Sequence, residues 1–508
     1  MVRFTLKSAC LWAASALAVG AAGCSGAHSV LPGVGPQVAN DLRPGVIARF
    51  KPLRHQPPVP GMQLAFLMTD GTVLAQTYTN SIWYRYTPDA SGNYADGTWA
   101  QAASLQDPPY GPSAFASAVQ IDGRFVITGG EYNYPGNGYD LQLTNLGAVY
   151  DPVANTWTPL GHPHNWSTIG DSPSAVLPDG EYLVGQKLTH RDAILNPHTL
   201  AWKKVGDRGK SDFNAEEGWT LLPNGTVLTA DVKNAPNSEI YDPAKQKWTS
   251  AGSTIVDLHS PSRYGCLLYG PNECYYPPGE IGPAMLRPDG TVFATGSAPN
   301  GTGTGHTAIY STATGKWTVG PDFPNGDNAG DDFAALLPSG NVLVFGVSGE
   351  MYEFNGTTWT QDGSESGPPL LLPTGQVMML NYGSVVLFNP TGSPKASWAP
   401  TIKYVSSTVT RGQTYKITGT QFNGLSMAMA FGDEYQNATN YPLVRITNTS
   451  TKHVFYARTH DHSTMGVATG KKIVSTNFDV PKNADTGAST LVVVANGIAS
   501  MPVGVTVK

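Results

Sequence analysis

A unit of about 48 residues recurs seven times between residues 62 and 398. Each unit opens with an apolar run and a tight turn that ends in glycine, and then continues into a β-branched run. An aromatic residue near a second turn follows, and each unit ends on a tryptophan. The seven first turns are MTDG (68–71), QIDG (120–123), LPDG (177–180), LPNG (222–225), RPDG (287–290), LPSG (337–340) and LPTG (372–375).

Each unit is predicted to form four short antiparallel strands, because its Asp-Gly and Asn-Gly turns suit two-residue hairpins. A single sheet of this kind cannot bury both faces, whereas seven sheets packed around an axis can. The sequence therefore predicts a seven-bladed β-propeller over residues 62–398, with a period close to that of kelch repeats. The closing tryptophans are expected to fill the gaps between blades, with a sugar-stacking stripe as the alternative: Trp99, Trp157, Trp202, Trp248, Trp317, Trp359 and Trp398.

The low charge of the chain agrees with an all-β fold. Only 13% of the residues are Asp, Glu, Lys or Arg, and long solvated helices need charged faces. The formal net charge is -6, and the chain has no basic run, which argues against a nucleic-acid partner.

Residues 1–24 are predicted to be a signal peptide. Arg3 and Lys7 precede a short apolar run over 9–19, which is too short to span a bilayer stably and is followed by small residues. The segment AAGC (21–24) resembles a bacterial lipobox, in which the cysteine carries the lipid. We expect an exported lipoprotein anchored through Cys24 at the bacterial outer membrane or cell surface. The alternative is a secreted or periplasmic protein in which Cys24 has no role.

Export also bears on the other cysteines. Cys10 would leave with the signal peptide, which leaves Cys266 and Cys274 beside Cys24. In an oxidising compartment this pair is expected to close a small loop as a disulfide. Two reduced thiols are the alternative.

Two further segments flank the repeats. Residues 25–61 contain seven prolines and are predicted to be a tether that lies partly along the propeller. Residues 399–508 lack the repeat and contain alternating, β-branched runs, which predict an immunoglobulin-like β-sandwich.

Kelch units followed by this sandwich resemble the galactose oxidase and glyoxal oxidase family of secreted copper-radical enzymes, over roughly residues 62–508. Four segments match the early-set sandwich of that family: GTQFNG (419–424), ARTHDHSTMG (457–466), FDVP (478–481) and VVVANGIAS (492–500). The resemblance implies that a hairpin from the sandwich enters the propeller axis. It also implies that a Thr-His pair at the tip, here Thr459-His460, supplies a copper ligand.

The resemblance further implies tyrosine, histidine and cysteine ligands at the starts of the innermost strands. At the equivalent positions, this chain has no residue of these types. Copper-radical oxidation is therefore not expected, because it needs a tyrosine radical crosslinked to cysteine. The residues in the tyrosine and histidine register are Met62, Ala114, Asp171, Glu216, Ile281, Asp331 and Ser366.

Acidic residues occupy this rim in five of the seven repeats. They are Asp171, Glu216 with Glu217, Glu280, Asp331 with Asp332, and Glu365. We hypothesise that four of them bind a divalent cation on the axis, with His460 or His462 as a further ligand: Asp171, Glu216, Asp331 and Glu365. Oxygen donors alone suit calcium, and added imidazole suits zinc or manganese. The alternative is a structural role, in which the acids accept backbone hydrogen bonds or pair with Arg458.

The sequence favours a ligand-binding surface module whose partner is a glycan or a protein. Tyr132 lies where the resemblance implies a stacking aromatic above the site of the oxidase family. Tyr132 and Tyr134 could stack on a sugar, and the alternative is that they pack in a loop. One alternative function is a divergent metal-dependent carbohydrate or aldehyde oxidase-like enzyme that uses the axial site near His460. Another is a purely structural surface protein.

Overall fold

The computed structural model describes residues 49–508 except 78–79, 106–109, 135–142, 188, 207, 262–266, 271–272, 276–278, 299–302, 365–366, 382 and 432–435. This part of the chain is all-β and contains three short 3-10 turns, at Tyr94–Asp96, Pro324–Gly326 and Ala396–Trp398. Within the same residues, no helix has the length and apolar character needed to cross a membrane.

Seven antiparallel sheets confirm the predicted seven-bladed β-propeller; six have four strands, and the sheet of blade 6 has a fifth strand, Met429–Ala430, from the C-terminal region. From the innermost strand outward, blade 1 consists of Met62–Leu67, Val73–Thr77, Trp83–Thr87 and Thr98–Gln101. Blade 2 consists of Ala116–Val119, Phe125–Thr128, Gly147–Asp151 and Thr156–Pro159. Blade 3 consists of Ser174–Val176, Tyr182–Gly185, Asp192–Leu195 and Trp202–Gly206. Blade 4 consists of Thr220–Leu221, Val227–Ala230, Asn237–Asp242 and Lys247–Ser253. Blade 5 consists of Ala284–Leu286, Thr291–Thr295, Thr307–Ser311 and Lys316–Val319. Blade 6 consists of Ala334–Leu336, Val342–Phe345, Glu350–Phe354 and Trp359–Ser364.

The seventh blade joins the two ends of the propeller segment. Its inner strands are Pro369–Leu371, Val377–Asn381 and Ser384–Phe388, and its outermost strand is Phe50–Pro52. The proline-rich segment 25–61 thus supplies a blade strand. Trp398, which ends the seventh repeat in the sequence, lies in a 3-10 turn instead. The segment that leads into blade 1 is thus hydrogen-bonded to blade 7, which ties the start of the propeller segment to its last blade.

The glycine turns differ from the predicted two-residue hairpins. In blade 1 the amide of Gly71 donates to the carbonyl of Met68 at 3.0 Å, and the amide of Met68 donates to Thr72 at 2.7 Å. The same pair of bonds recurs in all seven blades. This is a three-residue loop, a type I turn followed by a left-handed residue. Gly71 has a φ of 74°, which explains why each repeat ends this turn in glycine.

The repeat tryptophans pack between blades, as predicted. Five of them donate the indole N–H to the preceding blade or the segment after it. The acceptors are Ala103 O for Trp157, Gly161 O for Trp202, Asp192 Oδ2 for Trp248, Ser238 Oγ for Trp317 and Pro321 O for Trp359. Trp99 makes the same bond to His55 O, beside the closing strand. These contacts use the indole N–H groups within the fold and support packing over a sugar-stacking stripe.

The C-terminal segment forms one curled sheet of nine strands. Along its hydrogen-bonded path the strands are Thr401–Tyr404, Thr414–Thr420, Val474–Asp479, Val454–His460, Leu443–Asn448, Gly487–Ala495, Val503–Val507 and Thr408–Val409, with Ile498–Ala499 attached to Gly487–Ala495. Val454–His460 changes partner along its length, and the sheet curls around its own apolar core. This arrangement is compatible with the predicted immunoglobulin-like sandwich.

Three two-stranded sheets lie between the main elements. They are Gly111–Ser113 with Tyr132–Tyr134, His259–Pro261 with Gly279–Ile281, and Leu267–Gly270 with Glu273–Tyr275.

Candidate functional site

The propeller axis is occupied by a segment of the C-terminal region that precedes the predicted hairpin. Its short strand Met429–Ala430 pairs with Ala334–Leu336, the innermost strand of blade 6. The Phe431 ring lies 4.4 Å from the Phe333 ring, and Asn437 donates to Pro369 O at 2.9 Å, beside the innermost strand of blade 7. Residues 425–431 and 436–441, called the axial segment below, therefore lie inside the ring of innermost strands.

The hairpin that carries His460 lies elsewhere. Thr459 N donates to Thr69 O at 3.2 Å, and His462 N donates to Ile121 O at 3.1 Å. Thr69 and Ile121 belong to the glycine turns, which follow the innermost strands. The rim acids precede those strands. The predicted placement of His460 and His462 among the rim carboxylates is thus not what the structure has.

His460 contacts two aspartates outside the rim. Its Nδ1 lies 2.7 Å from Asp461 Oδ2, and its Nε2 lies 3.2 Å from Asp479 Oδ1. Arg458 also pairs with Asp479, at 3.2 Å. The hypothetical pairing of Arg458 with the rim acids is replaced by this local cluster on the C-terminal sheet.

His462 is buried and accepts or donates one hydrogen bond, between Nδ1 and Thr476 Oγ1 at 2.8 Å. Burial, reinforced by His460, lowers its pKa to about 3. In the unfolded chain this histidine takes up a proton near pH 6.5, whereas in the folded chain it stays neutral down to a much lower pH. The free energy of unfolding therefore decreases as the pH falls below about 6.5.

We expect His462→Gln to flatten this acid dependence. Between about pH 6.5 and 4.5 the wild type should lose about 2 kcal/mol of unfolding free energy through this one group, and the variant should not. Guanidinium unfolding at the two pH values measures the difference. Exposed His453→Gln is the matched control, and equal slopes for His462→Gln and the wild type would contradict the assignment.

Two of the predicted rim acids meet at a buried lysine. Asp171 precedes the innermost strand of blade 3, Glu216 precedes that of blade 4, and Lys187 follows the second strand of blade 3. Lys187 Nζ contacts Asp171 Oδ2 and lies 2.8 Å from Glu216 Oε1. The lysine side chain is 1% exposed. An ammonium group therefore supplies positive charge where the sequence suggested a metal ion.

Backbone strain marks the same rim. Glu216 has a φ of 58°, and Ala114, at the equivalent position of blade 2, has a φ of 50°. Non-glycine residues are uncommon in this left-handed region, and such residues cluster at binding sites and active sites.

The remaining rim acids are dispersed. Asp331 and Asp332 are both buried before the innermost strand of blade 6, and burial raises the pKa of Asp332 well above its usual range. Glu280 lies in the small strand Gly279–Ile281, which pairs with His259–Pro261 rather than with a blade. Glu365 lies outside the described residues.

Several other predicted residues also fall outside the described part. Cys24 and Cys266 do so entirely, and Cys274 is described only as part of the strand Glu273–Tyr275. Lipidation and the disulfide therefore stay predictions. Tyr132 is partly exposed in a strand paired with Gly111–Ser113, so its sugar-stacking role also stays a prediction.

Sequence reasoning missed a buried charge cluster in blade 4, called the blade-4 cluster below. It is formed by Lys210, Asp212, Glu217, Asp231 and Glu239, all of them buried. Lys210 Nζ lies 2.9 Å from Glu217 Oε2 and 3.0 Å from Glu239 Oε2. Of these residues the sequence drew attention only to Glu217. The other four do not recur in the repeat, so no periodic signal marks them.

No family model matches the chain, and no curated protein matches it. Among solved structures, a fungal alcohol oxidase of the AA5 family in complex with copper has a TM-score of 0.47 and 15% identity, covering 90% of this chain and 98% of the oxidase chain. A catalytically inactive virginiamycin B lyase from Staphylococcus aureus with quinupristin has a TM-score of 0.46 and 9% identity, covering 67% and 100%. YCF48 bound to D1 peptide has a TM-score of 0.43 and 15% identity, covering 68% and 97%. At these values the likenesses carry no argument about function.

Proposed function

We propose that this chain is an exported, lipid-anchored propeller protein that binds a glycan or a protein at the rim of the propeller, and that it is not a copper-radical oxidase. The observation that carries the proposal is the contact of Lys187 with both Asp171 and Glu216. These acids lie in the register at which the resemblance implies ligands in the oxidase family, and both contact the ammonium group of a lysine of the protein itself.

The chemistry of the rim supports binding over oxidation. Copper is held by imidazole and sulfur donors, whereas the described rim offers carboxylates and an ammonium group. The alternative oxidase-like enzyme needed His460 at the axis, and the contacts of His460 lie on the C-terminal sheet. The partly exposed Tyr132 provides a surface at which a ligand can be recognised, close to the strained backbone of Ala114.

Glycan binding can be tested through Tyr132. We expect Tyr132→Ala to weaken binding of the best ligand on a glycan array about tenfold, because one stacked aromatic ring contributes about 1.4 kcal/mol. Tyr404→Ala is the control, since Tyr404 is 65% exposed on the C-terminal sheet. Equal losses for the two variants would contradict a glycan site at the rim.

Oxidase activity is tested in parallel. Copper-loaded protein should release no hydrogen peroxide from galactose, glyoxal or methylglyoxal. Sustained peroxide release from any of these substrates would overturn the proposal.

A further inference from the structure

We propose that the blade-4 cluster binds a calcium ion through the carboxylates of Asp212, Glu217 and Asp231. This group shares none of the four carboxylates of the axial hypothesis, although Glu217 is the neighbour of Glu216 at the rim. Glu217 precedes the innermost strand of blade 4, and Asp231 directly follows the second strand, Val227–Ala230. The two strands are antiparallel, so these residues meet at the same end of the blade.

The three carboxylates are close enough to share one ion. One oxygen from each of Asp212, Glu217 and Asp231 lies within 4.8 Å of the other two. Calcium binds oxygen at about 2.3–2.6 Å, so ligands on opposite sides of the ion lie about 5 Å apart. Among the described residues this is the one group of three or more His, Cys, Asp and Glu side chains with such spacing.

Asp231 provides an independent indication of a ligand. It is 1% exposed, and neither of its carboxylate oxygens has a hydrogen-bond partner among the described residues. Both oxygens are thus shielded from solvent beside two other carboxylates. Burial of a carboxylate without a donor is costly, and a bound cation removes that cost.

The blade-4 cluster contains more carboxylates than positively charged groups, which favours the binding of a cation. Four buried carboxylates face the single ammonium group of Lys210, which already contacts Glu217 and Glu239. Asp212 is held in place because its Oδ2 accepts the amides of Val232 at 2.7 Å and Lys233 at 2.8 Å. Among the residues that the structure describes, its Oδ1 accepts the amide of Phe213 alone, at 2.9 Å, which leaves a lone pair for a metal. Donors that are all oxygen favour calcium over zinc.

The test is calcium binding by the full chain after dialysis against EDTA. Titration calorimetry should give about one calcium per chain, and calcium should raise the melting temperature. Asp231→Asn should lower calcium affinity at least tenfold. Without calcium, Asp231→Asn should melt at or above the wild-type temperature, because a buried charge without a partner has been removed. That result also shows that the variant folds.

The matched control is Asp332→Asn, which changes another buried acid in a different blade and should leave calcium binding unchanged. Binding of less than about 0.2 calcium per chain at millimolar calcium would overturn the site. Unchanged affinity in Asp231→Asn would do the same. Loss of binding in Asp332→Asn but not in Asp231→Asn would instead assign the ion to the propeller rim and refute the blade-4 site.

Discussion

Replacement of Lys187 by methionine should lower the free energy of unfolding by about 3–5 kcal/mol. The substitution removes the ammonium group and leaves Asp171 and Glu216 buried beside each other. Their side chains are 0% and 5% exposed, so water cannot replace the lost charge. The large effect is expected because both buried carboxylates lose the cation that contacts them, whereas the Lys187 ion pairs themselves have a modest net value once desolvation is included.

Guanidinium unfolding near neutral pH measures this loss. Exposed Lys245→Met, which removes the surface pair with Asp242, is the control and should leave stability nearly unchanged. Addition of Asp171→Asn and Glu216→Gln to Lys187→Met should restore most of the stability, since the two carboxylates that contacted the ammonium group are then uncharged. A Lys187→Met protein as stable as the wild type, or a triple variant no better than the single one, would contradict the account of the rim.

Arg49→Met should also lower the free energy of unfolding, by about 3–5 kcal/mol at pH 8. Arg49 precedes the closing strand and contacts Asp362 at 2.6 Å and Glu353 at 2.8 Å. Its guanidinium carbon lies 4.5 Å from the centre of the Phe388 ring. The arginine therefore ties the N-terminal segment to blades 6 and 7, and its loss leaves two buried carboxylates in blade 6.

The Arg49 defect should depend on pH in a defined direction. Burial, helped by Glu353, raises the pKa of Asp362 to about 7, above its value in the unfolded chain. Folding therefore favours the protonated acid, and stability from this group falls as the pH rises from about 4 to 7. Without Arg49 the pKa rises further, so the defect should be smaller at pH 5 than at pH 8.

Unfolding at both pH values tests this dependence. Arg54→Met serves as the control, because Arg54 is 73% exposed and lies 3.9 Å from Asp96. An Arg49→Met defect of equal size at pH 5 and pH 8 would contradict the role assigned to Asp362. The absence of any defect would contradict the importance of the closing segment.

The sequence predicted the propeller because its signals are local and repeated. Each turn needs a glycine in the left-handed region, and each closing tryptophan packs on the preceding blade, so both features recur at one period. The prediction that these turns are two-residue hairpins was wrong, since each is a three-residue loop. Both kinds of hairpin use Asp-Gly and Asn-Gly pairs, so the sequence does not distinguish them.

The site was predicted less well because its residues come together only in three dimensions. Lys187 and Lys210 do not belong to the repeat, and only the arrangement of neighbouring blades brings them to the acids. The outer strand of blade 7 comes from Phe50–Pro52, over 300 residues before its partner strand Ser384–Phe388. The match of Thr459-His460 to a family motif predicted that this hairpin enters the propeller axis. The axis is instead occupied by the axial segment, whose apolar run SMAMAF (426–431) matches no motif.

The central claim is that Lys187, rather than a bound metal ion, supplies the positive charge beside Asp171 and Glu216 at the propeller rim. It is tested most directly by a crystal structure of the protein soaked with copper(II), with anomalous diffraction measured at the copper edge. We predict that Lys187 Nζ lies within hydrogen-bonding distance of both Asp171 and Glu216 and that the rim has no anomalous peak. A copper peak at the rim, coordinated by those carboxylates with Lys187 displaced, would contradict the account.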